Sequence, residues 1–201
     1  MARPATAALP VPQAGSLAFS MVRHGSEIGR HTLTFERRGE TLTIRVAVNA
    51  RVTFLSIPLA RYRHHVVETW LGGTLMSLVG ETDRNGRREW IDAHRTEAGL
   101  VVTGSNTARY TAPDDALATT YWIRRLMGGP MIDAENGELM HPKVSLDRAE
   151  TIRLASGGTI VADHYNLSGD CDADVWYDRT DTWASLAFDV DDGSNIHYER
   201  L

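Results

Sequence analysis

The sequence predicts an all-β protein: a curved antiparallel meander that forms a barrel or half-barrel. The first observation is a series of glycine- or asparagine-marked turns, each between short segments that alternate apolar and polar residues. Such dipeptides supply the positive φ angles that two-residue hairpin loops require. The second is strict alternation over residues 42–48, which is typical of a strand with one buried face. The turns are Gly72-Gly73, Asn85-Gly86, Asn136-Gly137, Gly157-Gly158 and Asp192-Gly193.

The strands follow one another along most of the chain, and we expect about 12–14 of them from the spacing of the turns. Pro58 cannot donate a hydrogen bond to a neighbouring strand, so we expect the sheet to bend near residues 53–58. The predicted strands cover residues 17–21, 28–36, 42–48, 59–71, 74–83, 87–95 and 100–105, resume at 131, and continue over 138–146, 151–154, 159–167, 173–177, 183–190 and 194–199.

Residues 109–130 interrupt this rhythm. Pro113 and two aspartates offer an N-cap for one short helix near residues 114–127, which Gly128, Gly129 and Pro130 would end. Long connections without strands are uncommon in compact domains and often act as lids or plugs. We therefore expect a short helix or long loop that forms a lid over the open end of the sheet.

The length of 201 residues fits one domain. Residues 1–15 are rich in alanine and proline without periodicity, which predicts a disordered tail. Residues 16–201 are predicted to form a single β-meander domain. The tail lacks the apolar core of a secretory signal, so the protein is either cytoplasmic or an exported protein whose signal is missing from this sequence.

Composition excludes several classes of function. The net charge is −5, and no basic run or stripe appears, which argues against a nucleic-acid partner. No apolar segment has the length of a transmembrane span. Cys171 is the only cysteine, which rules out an intrachain disulfide. The eight histidines show no metal-binding spacing, and we expect neither a metal nor a cofactor.

Several motifs resemble an uncharacterised proteobacterial family, a domain of unknown function that is usually encoded with an export signal. That family is distantly similar to periplasmic half-barrels of the lipoprotein-carrier type. The resemblance implies a half-barrel fold and a periplasmic location, and it carries no activity. The motifs are Phe19-x-x-x-Arg23-x-Gly25-x-x-Ile28-Gly29-x-His31, Tyr62-x-His64-x-x-x-Glu68-x-Trp70-x-x-Gly73-x-Leu75, Asn85-Gly86, Thr120-Tyr121-Trp122 and Val175-Trp176-Tyr177-Asp178.

The strand over residues 59–71 carries the first candidate site. Tyr62, His64, Glu68 and Trp70 share one face of it. Positions four residues apart on a strand are separated by about 13 Å, so His64 and Glu68 cannot share a proton or a metal, although both can line one cavity. A pocket would need partners from neighbouring strands, such as His31, Asp92 or His94. The alternative is an ordinary sheet face on which Glu68 pairs with Arg61 or Arg87.

The long segment carries the second candidate site. Tyr121 and Trp122 are followed by Arg124 and Arg125. They can fold over the mouth of a cavity, where the aromatic rings meet an apolar ligand and a guanidinium meets an anionic head group. The alternative is a loop whose aromatic residues seal one end of the barrel.

Three functions follow from this reading. The first is a protein that binds or carries a hydrophobic or amphipathic small molecule. The second is a cofactor-free lyase, isomerase or hydrolase that uses His64, Glu68, Tyr121 and Arg125. The third is a structural periplasmic module without a ligand. In the first case we expect an inner wall of Phe19, Phe35, Tyr62, Trp70, Trp90 and Trp122, with His64, Tyr121 and Arg125 also contacting the ligand.

Overall fold

A computed structural model describes residues 9–54 and 57–201; for residues 53, 54 and 57–59 it describes the backbone only. Most of these residues belong to one 13-stranded antiparallel sheet, which confirms the predicted fold class. Its strands are β1 (Ser16–Arg23), β2 (Ser26–Arg38), β3 (Thr41–Phe54), β4 (Ile57–Leu71), β5 (Thr74–Arg84), β6 (Arg87–Thr96), β7 (Gly99–Gly104), β8 (Thr107–Thr111), β12 (Lys143–Arg153), β13 (Thr159–Ser168), β14 (Ala173–Asp178), β15 (Trp183–Asp189) and β16 (Asn195–Arg200).

Neighbouring strands in the sheet are also consecutive in the chain, with one exception. The first strand, β1, lies between β2 and the last strand, β16. Strands β8 and β12 occupy the two edges and, in the described part of the chain, do not pair with each other. The sheet therefore curves as a half-barrel that stays open along these edges.

The concave face of the sheet holds most of the core. The inward positions of β3 are Leu42, Ile44, Val46 and Val48, which are all buried, whereas Thr43, Arg45 and Asn49 are less buried or exposed. This is the alternation that the sequence predicted. On β4 the inward positions are those of Tyr62, His64, Val66, Glu68 and Trp70, so the predicted common face is confirmed.

Residues 112–142 connect the two edge strands and run through the inside of the half-barrel. We call them the inner segment. It contains three two-residue strands, β9 (Leu117–Ala118), β10 (Met131–Ile132) and β11 (Leu139–Met140), and β9 pairs parallel to β10. Its helical part is a five-residue 3₁₀ turn, Arg124–Gly128, which is shorter than the helix predicted near residues 114–127. Because its apolar side chains are buried in the core, the segment is a plug, and the expectation of a lid is corrected.

Two glycines on the concave face allow the inner segment to approach the sheet. A Cβ atom on Gly80 would lie 3.0 Å from the carbonyl oxygen of Ala134. A Cβ atom on Gly104 would overlap the carbonyl oxygen of Asn136. The backbone of the plug therefore crosses β5 and β7 where the sheet has no side chain.

The glycine-marked turns have the backbone angles that the sequence predicts. Asn85 and Gly86 have φ angles of 56° and 91° between β5 and β6, as a two-residue hairpin loop requires. Gly137 has a φ of 87° in the loop between β10 and β11.

Of the predicted disordered tail, residues 1–8 lie outside the described residues. Residues 9–15 contain no strand, and Leu9 is buried against the core.

We expect Gly104→Ala to destabilise the protein far more than Gly86→Ala. The added methyl group on Gly104 would push the 136–137 turn off the sheet, at a cost of about 3 kcal/mol, the upper range for overpacking. Gly86 has open space around it, so Gly86→Ala costs only the left-handed backbone strain of about 1 kcal/mol. Urea unfolding of both variants measures the difference. Equal losses would mean that the plug does not contact the sheet at Gly104.

Candidate functional site

A cavity of about 660 Å³ lies between the concave face of β1–β5, strands β15 and β16, and the inner segment. Its size is within the range of small-molecule pockets. Its walls combine apolar side chains from the sheet with a similar number of polar and charged side chains. The apolar residues include Met21, Ile28, Val46, Val48, Leu186, Phe188 and Ile196.

One cross-strand row places two histidines in this cavity. His31 on β2 is opposite Val48 on β3, and Val48 is opposite His64 on β4. The two imidazoles are thus separated by two strand spacings, about 9–10 Å. His64 is opposite Thr82 on β5, and a hydrogen bond of 2.8 Å joins His64 Nδ1 to Thr82 Oγ1. Burial lowers the pKa of His64 to about 4, so its ring is neutral at pH 7.

His31 differs from His64 because its ring has no hydrogen-bond partner. The residue is 5% exposed, and neither Nδ1 nor Nε2 contacts a polar atom of the described residues. Its neighbours are aromatic edges: the ring centroids of Trp183 and Tyr198 lie 5.1 Å and 5.6 Å away. Burial lowers the pKa of His31 to about 3. The neutral ring contributes to the cavity wall, but its two nitrogens have almost no accessible surface and do not face the hollow space.

A second polar group lies at the mouth of the cavity. The Tyr62 hydroxyl donates to Glu135 Oε1 at 2.7 Å, and Arg84 donates to Glu135 Oε2 at 2.8 Å. The Arg84 guanidinium also lies 5.3 Å from the centre of the Tyr62 ring, as cation–π contacts require. Burial and the neighbouring carboxylate raise the pKa of Tyr62. Glu135 belongs to the inner segment, so this group ties the plug to β4 and β5.

Tyr121 lines the same cavity from a strained backbone position. Its φ is 60°, in the left-handed region, and its carbonyl accepts a hydrogen bond of 2.8 Å from the Tyr177 hydroxyl. Such a conformation costs about 1–3 kcal/mol for a residue other than glycine and concentrates at functional sites. Burial raises the pKa of Tyr121 well above its usual value. Nearby Asp133 has a pKa raised by burial to about 6.

Glu68 is not part of the cavity wall, and its role is structural. Its carboxylate is 1% exposed and accepts three hydrogen bonds, from the Trp70 indole at 2.7 Å, from the Trp122 indole at 3.0 Å and from the Thr120 hydroxyl. Two of these donors, Thr120 and Trp122, belong to the inner segment. Glu68 therefore attaches the plug to the sheet, and it pairs with no arginine among the described residues.

The predicted ligand-binding residues fall into three groups: residues that line the cavity, buried residues outside its wall, and exposed residues. Tyr62, His64 and Tyr121 line the cavity. Trp70 and Trp122 are fully buried around Glu68, with ring centroids 5.6 Å apart, and are absent from the cavity wall.

Two other predicted positions need correction. Trp90 is 46% exposed on the convex face, because the inward positions of β6 belong to Ile91 and Ala93. Its assignment to the inner wall was wrong. Arg125 is exposed on the 3₁₀ turn and does not reach the cavity. The neighbouring Arg124 binds Asp181 at 3.0 Å on the outside, so the anion clamp predicted at the mouth is not formed by these arginines.

Sequence analysis missed three residues that complete the wall. Arg84 is the last residue of β5, Glu135 lies in the inner segment, and Tyr198 is the last aromatic residue of the sequence. Alternation places Tyr198 on the same face as Ile196, so the β16 pattern contained a signal for it. No local signal marks Glu135, because its position depends on the path of the plug.

Residues that could hold a metal ion lie elsewhere, on β12 and β13. Ligand atoms of Asp147, Glu150 and His164 all lie within 4.8 Å of one another. His164 Nε2 is 2.7 Å from Asp174, and its Nδ1 is 3.6 Å from each of the other two carboxylates. A register shift between Leu146 and Ala149 separates Asp147 from the regular strand pairing, which is why spacing along the sequence does not reveal the group.

A second depression, of about 720 Å³, lies on the opposite face of β1 and β14–β16. It is lined by residues such as Ser20, Trp176, Ser185, His197 and Glu199. Ser20 and Ser185 are already hydrogen-bonded within the protein, to Glu27 and to the Tyr198 carbonyl. No fully buried polar atom of its described lining residues lacks a partner. The inner cavity, which is enclosed between the sheet and the inner segment, is therefore the better candidate site.

Comparison with known proteins identifies a family but no activity. The family model described as Domain of unknown function (DUF6134) matches residues 19–201. No curated protein matches the chain. Among the described residues, no helix has the length and apolar character needed to cross a membrane.

The Glu68 network predicts a sharp difference between two substitutions. Glu68→Ala leaves two buried indole N–H groups and one hydroxyl without an acceptor, and we expect a loss of about 3–5 kcal/mol. Glu68→Gln keeps an acceptor for the indoles and a donor for Thr120, so we expect a loss below about 1 kcal/mol. Thermal or urea unfolding measures both. Similar losses in the two variants would contradict the anchoring role of Glu68.

The same residue predicts a pH dependence. Burial raises the pKa of Glu68 above its ordinary value of 4.5. A raised pKa in the folded state gives stability that is present below pH 4.5 and lost as the pH rises through the folded pKa. The difference in free energy of unfolding between the native protein and Glu68→Gln should therefore decrease as the pH rises from 4 to neutral. A difference that is constant or rises with pH would be inconsistent with a buried carboxyl group.

Proposed function

Since the chain belongs to the DUF6134 family of domains of unknown function, we propose from the geometry of its inner cavity that it binds or carries a hydrophobic or amphipathic small molecule. One observation carries the proposal: a cavity of about 660 Å³ combines apolar side chains of the sheet with polar groups such as His64 and Tyr62. Apolar walls with a few convergent polar groups are the usual composition of a ligand pocket.

The arrangement of the plug supports this function over a purely structural one. The inner segment fills the part of the half-barrel near Glu68 and leaves the part near His31 and His64 hollow. A purely structural module would gain from filling that space, because a close-packed interior is more stable than one with a void. In our proposal residues 16–201 act as one domain. A periplasmic location is part of the proposal, and the resemblance of the sequence motifs to a usually exported family supports it.

A cofactor-free enzyme in the same cavity is a second candidate, supported by one specific contact. The neutral His64 ring is stacked 6.2 Å from the Tyr62 ring. The Tyr62 hydroxyl in turn donates to Glu135. A histidine beside a tyrosine–carboxylate pair is a plausible acid–base set. Of the four catalytic candidates from the sequence, His64 and Tyr121 remain in this proposal, whereas Glu68 and Arg125 lie outside the cavity.

A cavity-filling substitution tests the binding function. Ala50 lines the cavity on β3, opposite Tyr62. We expect Ala50→Trp to occupy the space and to weaken binding of Nile red, an uncharged apolar dye, at least tenfold. Fluorescence titration measures the dissociation constant.

A matched control uses the same substitution on the other face. Val79 is 42% exposed on β5, so Val79→Trp should bind Nile red as the native protein does. Mass spectrometry of an organic extract should also find a small molecule with native protein and less of it with Ala50→Trp. The proposal fails if the native protein binds no dye, or if Ala50→Trp and Val79→Trp bind it equally well.

A further inference from the structure

We propose that the cavity selects an amphipathic ligand with a cationic amine head group, which binds to the acidic part of the wall while its apolar chain packs against the sheet. The inference rests on the proposed binding function and adds the chemical class of the ligand. It depends on three observations: the pairing of every arginine in the cavity wall, the excess of carboxylates without a cationic partner, and the open hydroxyl of Tyr198.

The arginines of the cavity wall are all paired with carboxylates. No lysine belongs to the wall as far as the structure describes it. An anionic head group would therefore find no free cation, which reverses the expectation from the sequence. The pairs are Arg23 with Asp192, Arg61 with Asp83 at 3.3 Å, and Arg84 with Glu135 at 2.8 Å.

Carboxylates outnumber the arginines of the wall by seven to three. His31 and His64 add no positive charge at pH 7, because burial lowers their pKa values to about 3 and about 4. The wall therefore has a net charge of about −4, which attracts cations and repels anions. Five of the seven carboxylates have no ion-pair partner among the described residues: Asp133, Asp170, Asp172, Asp189 and Asp191.

Asp133 is half-buried, whereas the other four unpaired carboxylates are exposed at the mouth of the cavity. Its Oδ1 accepts a hydrogen bond of 2.8 Å from the backbone N–H of Glu135. Burial and the nearby Glu135 and Glu89 carboxylates raise the pKa of Asp133 to about 6, so its charged form predominates at pH 7 but is poorly stabilised. A cationic head group would supply the opposite charge that the protein itself does not place there.

Tyr198 offers a neutral acceptor on the same wall. The residue is 5% exposed, and its hydroxyl makes no hydrogen bond to the residues that the structure describes, unlike the hydroxyls of Tyr62 and Tyr177. In contrast to the nitrogens of His31, its oxygen is not closed off from the cavity that the residue lines. Burial and the Glu135 carboxylate raise the pKa of Tyr198, so the phenol stays neutral. A ligand N–H can therefore donate to this oxygen.

A primary ammonium group matches this wall better than a hydroxyl or a carboxylate does. It has three N–H donors and no acceptor, and the wall offers carboxylate oxygens and the Tyr198 oxygen. A hydroxyl can use the same acceptors but gains nothing from the negative charge. A carboxylate would lose its hydration in a cavity without a free cation. The apolar chain would contact the side chains of Val46, Val48, Leu186, Phe188 and Ile196.

Displacement of Nile red by three probes of equal chain length tests the selectivity. We expect decylamine, which is cationic at pH 7, to displace the dye at a concentration about tenfold lower than decan-1-ol does. Decanoate should be the weakest of the three. If Nile red binds and decan-1-ol or decanoate displaces it as well as decylamine does, the ligand class is wrong and the binding function stands. If Nile red does not bind, the binding function itself fails.

Substitution of Asp133 tests the contribution of charge inside the cavity. Asp133→Asn keeps an acceptor for the Glu135 N–H and removes the charge. We expect it to weaken decylamine binding about tenfold and to leave decan-1-ol binding unchanged. Asp114→Asn is the matched control, since Asp114 belongs to the same inner segment, is outside the cavity wall and has a side chain that is 94% exposed. Unchanged decylamine binding in a folded Asp133→Asn protein would overturn the proposal, and so would an equal loss for both probes.

Discussion

The fold depends on one buried carboxylate. A half-barrel has an apolar concave face that must be covered, and here the chain between the two edge strands provides the cover. That segment is irregular, so its position depends on specific contacts more than on regular strand pairing. Glu68 supplies them, because its two oxygens accept hydrogen bonds from Trp70 on the sheet and from Thr120 and Trp122 on the plug. Each donor would otherwise be buried without a partner.

The position of this anchor decides where the protein is hollow. His64 lies four residues before Glu68 on β4, and it faces the cavity. The plug covers the sheet around Glu68 and Gly104 and reaches the cavity with only a small number of side chains, among them Tyr121 and Glu135. One strand thus presents a structural group and a cavity-facing group on the same face, about 13 Å apart.

Local patterns predicted the sheet well and the site only in part. The alternation along β3 and the common face of Tyr62 and His64 are local patterns. They depend only on residues close together in the chain, so they can be read from a single sequence. Trp90 is expected on the inner wall from the sequence, although alternation with the buried Ile91 puts it on the opposite face. The path of the plug could not be predicted, because it depends on contacts between distant residues, such as that of Glu135 with Tyr62. The role of Glu68 was hidden for the same reason.

The pairing of β1 with β16 has a consequence for biogenesis. These strands are the first and last of the sheet, and together they join its two halves. A ribosome makes β16 after every other strand of the sheet, so the two halves cannot join before β16 has emerged. Contacts between such distant residues form slowly. Until then the edges of β1 and β15 have unpaired backbone groups, which are prone to aggregation. The growing chain therefore exposes two open strand edges for most of the time that its synthesis takes.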